Sequence, residues 1–129
     1  MNYSAEVLAH YRNPKNAGSL DPNAPDVGTG QVGTREQGAV VRLQIQVDDN
    51  ARIEQARFKA YGCGCTIAAA SLAADWLQDK TLDAAAELNS AAIVQQLSLP
   101  PIKMYCAMLA EDAITAASTN YRNKQQEQT

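Results

Sequence analysis

The sequence predicts an α+β domain, a small antiparallel sheet with helices before and after it. Residues 40–47, VVRLQIQV, and 52–61, RIEQARFKAY, lie either side of the short turn DDNA and alternate apolar with polar side chains, the pattern of a half-buried hairpin. Beyond Gly64 the apolar spacing changes to the helical period. A helical segment also precedes the hairpin, so helices and strands are segregated along the chain rather than interleaved. The 129 residues fit one domain, 1–129. A chain of that length buries roughly two thirds of its unfolded surface and needs no disulfide staples.

The first helix is expected over residues 4–12, with Ser4 as its cap, Glu6 at its positive end and a Tyr3–Leu8 staple. Asn13-Pro14 ends it. Residues 14–37 carry Pro14, Pro22, Pro25, Gly18, Gly28, Gly30 and Gly33, and read as one long loop, functional or a mobile arm. In the first strand Val41, Leu43, Ile45 and Val47 face inward, with Arg42, Gln44 and Gln46 outward. In the second, Ala56, Phe58 and Ala60 face inward. Ile53 is out of phase with them, which predicts a bulge near Glu54.

The helix after Gly64 is alanine-rich, with Ile67, Ala70, Ala74 and Leu77 on one stripe. Thr81 and Ser90 are candidate caps for two short helices, LDAAAEL and AAIVQQL. Leu99-Pro100-Pro101 reads as stiff and extended. A last helix is expected from about residue 102 to 122, with Ile102, Cys106, Leu109, Ala113 and Ala116 on one face. A polar, frayed tail over 123–129 follows.

A formal charge of −3 argues against a nucleic-acid or anionic-membrane binder, which would carry a basic stripe. No apolar run approaches spanning length, and the N-terminal residues have neither an apolar signal core nor an Arg-rich presequence, so a cytoplasmic protein is expected. No Ser-His-Asp set, phosphate-binding glycine loop or catalytic carboxylate pair is present, which points away from an enzyme.

The chemistry lies with three cysteines. An odd count without an export signal favours metal or thiol chemistry over structural bridging. Cys63 and Cys65 sit in a Gly-Cys-Gly-Cys corner between a strand and a helix, and Cys106 follows Pro100-Pro101 at the start of another helix. Helix N-termini favour the thiolate, the form that binds metal and attacks sulfur. Thiolate-rich sites suit zinc or iron–sulfur clusters over magnesium or calcium. Three thiolates leave a tetrahedral ion one ligand short, for which Glu36, Gln37, Lys103, Tyr105, water or an external thiol are candidates. His10, the one histidine, reads as a surface or packing residue.

Five stretches together are similar to one family: VLAHYRNPKNAGSLD at 7–21, DVGTGQVG at 26–33, RFKAYGCG at 57–64, LPPIK at 99–103 and CAMLAEDAI at 106–114. The chain resembles the IscU-type iron–sulfur cluster assembly scaffold, the family that includes the N-terminal part of NifU, from about residue 3 to 121. The resemblance implies a three-stranded antiparallel sheet packed against several helices. It implies a protein that takes sulfur from a cysteine desulfurase and iron from a donor, holds a [2Fe–2S] cluster, and passes it to apo iron–sulfur acceptors. It further implies that Leu99, Pro100, Pro101, Ile102 and Lys103 are the segment offered to an Hsp70-type chaperone and its J-type partner. A proline-stiffened segment has little conformational entropy to lose on docking.

Carried over residue by residue, Cys63 and Cys106 match the family's second and third cluster cysteines. Gln37 stands at the position of the first, Ala39 at that of a nearby aspartate, and Tyr105 at that of a histidine. Cys65 is added where scaffolds typically have serine or another small residue. Iron would find a weak neutral oxygen at Gln37 and no carboxylate at Ala39, while Tyr105 ligates only if ionised, against an ordinary pKa near 10. Cys63, Cys65 and Cys106 together would restore the number of thiols in a new arrangement. Three functions follow: a cluster scaffold; a sulfur (persulfide) acceptor of the SufE type, whose fold is also similar; or a diverged paralogue that binds zinc or no metal and acts by regulation.

Overall fold

A computed structural model describes residues 3–127 of the chain. The elements run α1 (Ala5–Arg12), β1 (Val27–Thr34), β2 (Ala39–Val47), β3 (Ile53–Tyr61), α2 (Gly64–Leu77), α3 (Leu82–Ala85), α4 (Ser90–Leu97), a 3₁₀ turn (Pro101–Lys103) and α5 (Met104–Glu127). The sheet is antiparallel with strand order β1-β2-β3. Its inner face, with Val41, Leu43, Ile45, Val47, Ile53, Ala56 and Phe58 buried, packs against α2 and α5. No described helix is long and apolar enough to cross a membrane.

The hairpin follows the predicted pattern. Val47 pairs with Ile53 and Gln46 with Gln55, so Glu54 is the extra residue of a bulge that keeps Ile53 on the buried face. Ser4 caps α1 by accepting from the Val7 amide at 3.1 Å, and Asn13 ends it. Thr81 caps α3. At α4 the cap is Asn89 rather than Ser90; its side chain accepts from the Ala92 amide, while the Ser90 amide donates to Glu111.

The reading of 14–37 as one loop is corrected, because VGTGQVGT at 27–34 is β1, paired with β2 along its whole length. Its glycines read as loop residues because glycine is depleted in strands. Here they are required by the approach of α5. A Cβ on Gly30 would lie 2.5 Å from both the Ala113 carbonyl oxygen and the Ala117 nitrogen. The rest of the segment is fastened down. Residues 16–18 bond to Phe58 at the free edge of β3, with Gly18 N–H donating to Phe58 O at 2.9 Å. Leu20 crosses the outer face of the sheet and covers Gln44.

Gln44, expected outward in solvent, is therefore 1% exposed. It accepts from the Leu20 amide at 2.8 Å and donates to the Leu20 carbonyl at 2.9 Å and the Thr29 hydroxyl at 3.1 Å. A buried primary amide with three partners suits a site where the loop's backbone needs both a donor and an acceptor.

The C-terminal expectation is corrected as well. α5 continues to Glu127, and residues 128–129 of the tail lie outside the described residues. Lys124 holds its end down by donating to the carbonyls of Pro22, Ala24 and Val27 at 2.7–2.9 Å. The buried stripe of α5 is Cys106, Ala107, Ala110, Ala113, Ile114 and Ala117, rotated from the predicted one; Ile102 precedes the helix and is 74% exposed. α2 is not two-faced. With α1, α4, α5 and the sheet around it, it is buried on nearly every side, which small alanines permit. Pro100 is extended as predicted, but Pro101 opens the 3₁₀ turn.

A candidate thiol site

β3 ends at Tyr61, and the chain turns through Gly62 at φ +147°, a conformation that favours glycine. Cys63 follows as the N-cap of α2, in extended backbone at φ −73°, ψ 172°. Tyr3 braces this corner, its hydroxyl accepting from the Gly64 amide at 3.3 Å. From the other side, the 3₁₀ turn over Pro101–Lys103 hands the chain into α5, whose third residue is Cys106. The sulfurs of Cys63 and Cys106 stand 3.9 Å apart, from positions 43 residues distant in sequence.

Around this pair the other side chains are donors. Thr66, one helical turn after Cys63, puts its hydroxyl 3.5 Å from the Cys63 sulfur and 3.3 Å from that of Cys106. The Tyr105 hydroxyl is 3.7 Å and the Lys103 Nζ 3.6 Å from Cys63. Thr66 was not legible as a site residue. In sequence it is one more small residue in an alanine-rich helix, and its only signal is a spacing of three from the capping cysteine, which turns it toward that sulfur.

The two thiols differ electrically. Burial opposes ionisation of Cys63, but hydrogen bonds from the Thr66 side chain and amide, the Tyr105 hydroxyl and the Cys65 amide outweigh it, lowering its pKa from 9.0 to about 6. Burial pushes Cys106 up to about 11, with the neighbouring Cys63 charge adding to it. Tyr105 is raised to about 12, mainly because its proton is engaged by Cys63. The Cys63 charge also raises Lys103. At neutral pH the pair is one thiolate and one thiol, with an ammonium beside the thiolate. Since the Thr66 hydroxyl has one proton, it donates to the thiolate and accepts from the Cys106 thiol.

Selective alkylation is the expected consequence. Because the Cys63 pKa is lowered, its thiolate forms as pH rises through about 6 and is lost as pH falls below it. Iodoacetamide at pH 7.5 should modify Cys63 alone, at a rate that is half-maximal near pH 6, as read by peptide mass spectrometry. Half-maximal labelling near pH 9, or equal labelling of Cys106, would contradict this geometry.

The other predicted site residues are distributed as follows. Cys65, in the first turn of α2, is 1% exposed, belongs to the hydrophobic core, and has its thiol pKa raised by burial. Leu99 is buried, Pro100, Pro101 and Ile102 are exposed, and Lys103 turns inward to Cys63. Gln37 lies exposed in the β1–β2 turn. Gln37, Ala39 and Tyr105, which replace three site residues of the family's pattern, line one cavity of about 390 Å³ with Met108, Leu109 and Asp112. His10 is remote from the thiols, bonded through Nδ1 to Ser71 Oγ at 2.9 Å. Among the described residues no three His, Cys, Asp or Glu side chains converge as a ready metal cage.

Comparison with known proteins agrees with this architecture. The family described as NifU-like N terminal domain matches residues 2–128. The iron–sulfur cluster assembly scaffold protein IscU of Azotobacter vinelandii is 50% identical over 124 residues, 96% of this chain and 97% of that one. The protein of the same description from Escherichia coli K12 is 48% identical over 126 residues, 98% of each. Among solved structures, a putative iron–sulfur cluster assembly scaffold protein for the SUF system from Fervidobacterium islandicum AW-1 superposes with a TM-score of 0.71 at 20% identity. The match covers 90% of this chain and 96% of that one, a likeness of fold.

Proposed function

This chain belongs to the NifU-like N terminal domain family, and on that premise we propose that it is an iron–sulfur cluster assembly scaffold that holds iron and sulfide on Cys63 and Cys106. The observation that carries the reading is the spacing of the two sulfurs. A near-tetrahedral ion about 2.3 Å from each of two thiolates needs them roughly 3.8 Å apart. The pair stands at 3.9 Å. The donors are soft, as an iron–sulfur cargo requires. Lys103 offsets negative charge that develops on them. Nothing in this arrangement needs turnover; the residues hold and release cargo, and the role is that of a carrier rather than an enzyme.

A [2Fe–2S] cluster is the cargo we propose. Its sulfur would come from a cysteine desulfurase and its destination would be apo iron–sulfur proteins. The exposed Pro100-Pro101-Ile102 edge supports docking of an Hsp70-type chaperone with its J-type partner. Lys103, being engaged by Cys63, would be released as part of that docking. Cys65, sealed in the core, supports packing better than ligation.

Anaerobic reconstitution with iron and sulfide tests the reading. Wild type should develop the visible absorption and Mössbauer signature of a cluster, and Cys63→Ser and Cys106→Ser should each lose at least about tenfold of it. No cluster in wild type, or equal clusters in all three proteins, sinks the proposal. A second reading, a sulfur acceptor, is favoured by the low pKa of Cys63, which makes it a ready nucleophile. It predicts one added sulfur atom on Cys63 after incubation with a cysteine desulfurase and cysteine. Elemental analysis of fresh protein separates both readings from a zinc-binding paralogue.

A further inference from the structure

We propose that the cavity between the end of α1 and the middle of α2 binds a small free α-amino acid as its zwitterion, Asp75 taking the ammonium and Lys15 the carboxylate. None of the three cysteines lines this cavity, and the inference is independent of the scaffold reading.

The hollow follows from the way the chain leaves α1. Asn13 ends the helix, and residues 16–18 then bond to the free edge of β3. Between that returning segment and α2 lies a surface cavity of about 300 Å³, at the small end of the range for ligand sites. Its one apolar lining residue is Ala9; the others are His10, Asn13, Lys15, Asn16, Ser71 and Asp75. A wall this polar suits a ligand that is mostly hydrogen-bonding groups rather than an apolar body.

The charges choose the class. Lys15 and Asp75 line the same cavity with opposite charges, yet they stand too far apart to pair; among the described residues the ion pair is Arg122 with Asp83. Lys15 has no partner among the described residues, and Asp75 accepts only from the Asn16 amide, at 3.5 Å, the limit of a hydrogen bond. An anion alone would meet Asp75, and a cation alone would meet Lys15, so each is opposed by one wall. A molecule that carries both charges on one short body bridges the two and needs no counter-ion. An α-amino acid is that molecule.

His10 completes the wall without upsetting this balance. Ser71, 3% exposed in the middle of α2, engages its Nδ1 at 2.9 Å and fixes the ring against the helix. Nε2 has no partner among the described residues and is not enclosed, so it is open to a ligand. Burial lowers the pKa of the ring, Lys15 adds to that and Asp75 opposes it, so at neutral pH His10 is uncharged. The cavity then holds one cation and one anion. The Asn13 amide and His10 Nε2 offer a donor and an acceptor to a hydroxyl, which favours a side chain such as that of serine.

The test titrates the isotope-labelled full chain with L-serine at low salt and follows the amide resonances of residues 9–16 and 71–75. Saturable shifts with a dissociation constant on the order of 1 mM are expected, a modest affinity for a ligand of about seven heavy atoms. Ethanolamine, which is serine without its carboxylate, and 3-hydroxypropanoate, which is serine without its ammonium, should each bind at least about fivefold more weakly. Lys15→Met should erase the preference for serine over ethanolamine, and Asp75→Asn the preference over 3-hydroxypropanoate. Both side chains are exposed, so these variants should keep the fold. The longer zwitterion 4-aminobutyrate should bind more weakly than serine. No saturable shift up to about 50 mM serine, which leaves any affinity too weak for a built site, overturns the proposal. Serine binding no tighter than its two fragments, or 4-aminobutyrate binding tighter than serine, overturns it as well. Iron and sulfide content after reconstitution is a separate measurement, so this proposal and the scaffold reading fail independently.

Discussion

Gly30→Ala should destabilise this protein by about 3 kcal/mol, lowering its melting temperature by roughly 10 °C. In an ordinary strand the same change is favourable by about 0.5–1 kcal/mol, because glycine loses more backbone freedom on folding. The sign reverses here because a new methyl group would enter the backbone of α5. It would lie 2.5 Å from the Ala113 oxygen and the Ala117 nitrogen and 2.8 Å from the Ala116 Cβ. A flexible side chain could yield; a helix backbone packed along a strand moves only as a unit. Gly28→Ala should behave alike, meeting the Ala117 carbonyl and, at 2.8 Å, the Tyr121 Cβ. Gly38→Ala is the comparison. Nothing lies within 4 Å of it, and only its φ of +88° opposes a side chain, at about 1 kcal/mol. Thermal unfolding followed by circular dichroism measures all three. A melting temperature for Gly30→Ala within about 2 °C of wild type would disprove the close approach. The effect reaches the site, since α5 carries Cys106: a helix pushed off β1 takes that thiol away from Cys63.

Where a residue's own neighbours in sequence determine its structure, the chain was legible. Alternation of Val41, Leu43, Ile45 and Val47 marked β2, the phase error at Ile53 marked the bulge, and Ser4 and Thr81 marked helix starts. What escaped depends on contacts distant in sequence. β1 looks like a loop because its glycines answer to α5, some ninety residues away. Gln44 looks solvated because the segment that covers it precedes the sheet. The tail looks frayed because Lys124 finds its acceptors about a hundred residues upstream.

The site divides in the same way. Cys63 and Cys106 could be named from glycines, prolines and helix starts, and the fold brings them together. Cys65 shares the helix start with Cys63 and would restore the thiol count, yet two residues along a helix turn a side chain to the far side of the axis, here into the core. Lys103, in the segment that the resemblance offers to a chaperone and also a candidate ligand by residue type, is rotated onto the thiolate by the 3₁₀ turn after Pro100. Thr66 acquires a role only when two distant sulfurs meet across its hydroxyl.

Gln37→Cys together with Tyr105→His should raise the iron that the chain holds after anaerobic reconstitution about twofold. Gln37 sits in the exposed turn after β1 and makes no side-chain hydrogen bond to a described residue, so the change should leave the fold intact. It lines the cavity of about 390 Å³ that also borders Tyr105. A thiol at this point adds a sulfur to the cavity that Tyr105 borders, and the Tyr105 hydroxyl is 3.7 Å from the Cys63 sulfur; Tyr105→His in the same chain adds a neutral nitrogen ligand at a half-exposed position. Ala39→Asp is different in kind. Ala39 is 3% exposed, and an unpaired carboxylate there should destabilise the fold by about 2–3 kcal/mol. The useful variant is therefore Gln37→Cys with Tyr105→His and Ala39 kept. Reconstituted with iron and sulfide without oxygen, it should hold about twice the iron and acid-labile sulfide per chain of wild type. If it holds no more iron than wild type, ligand number is not what limits the wild-type site.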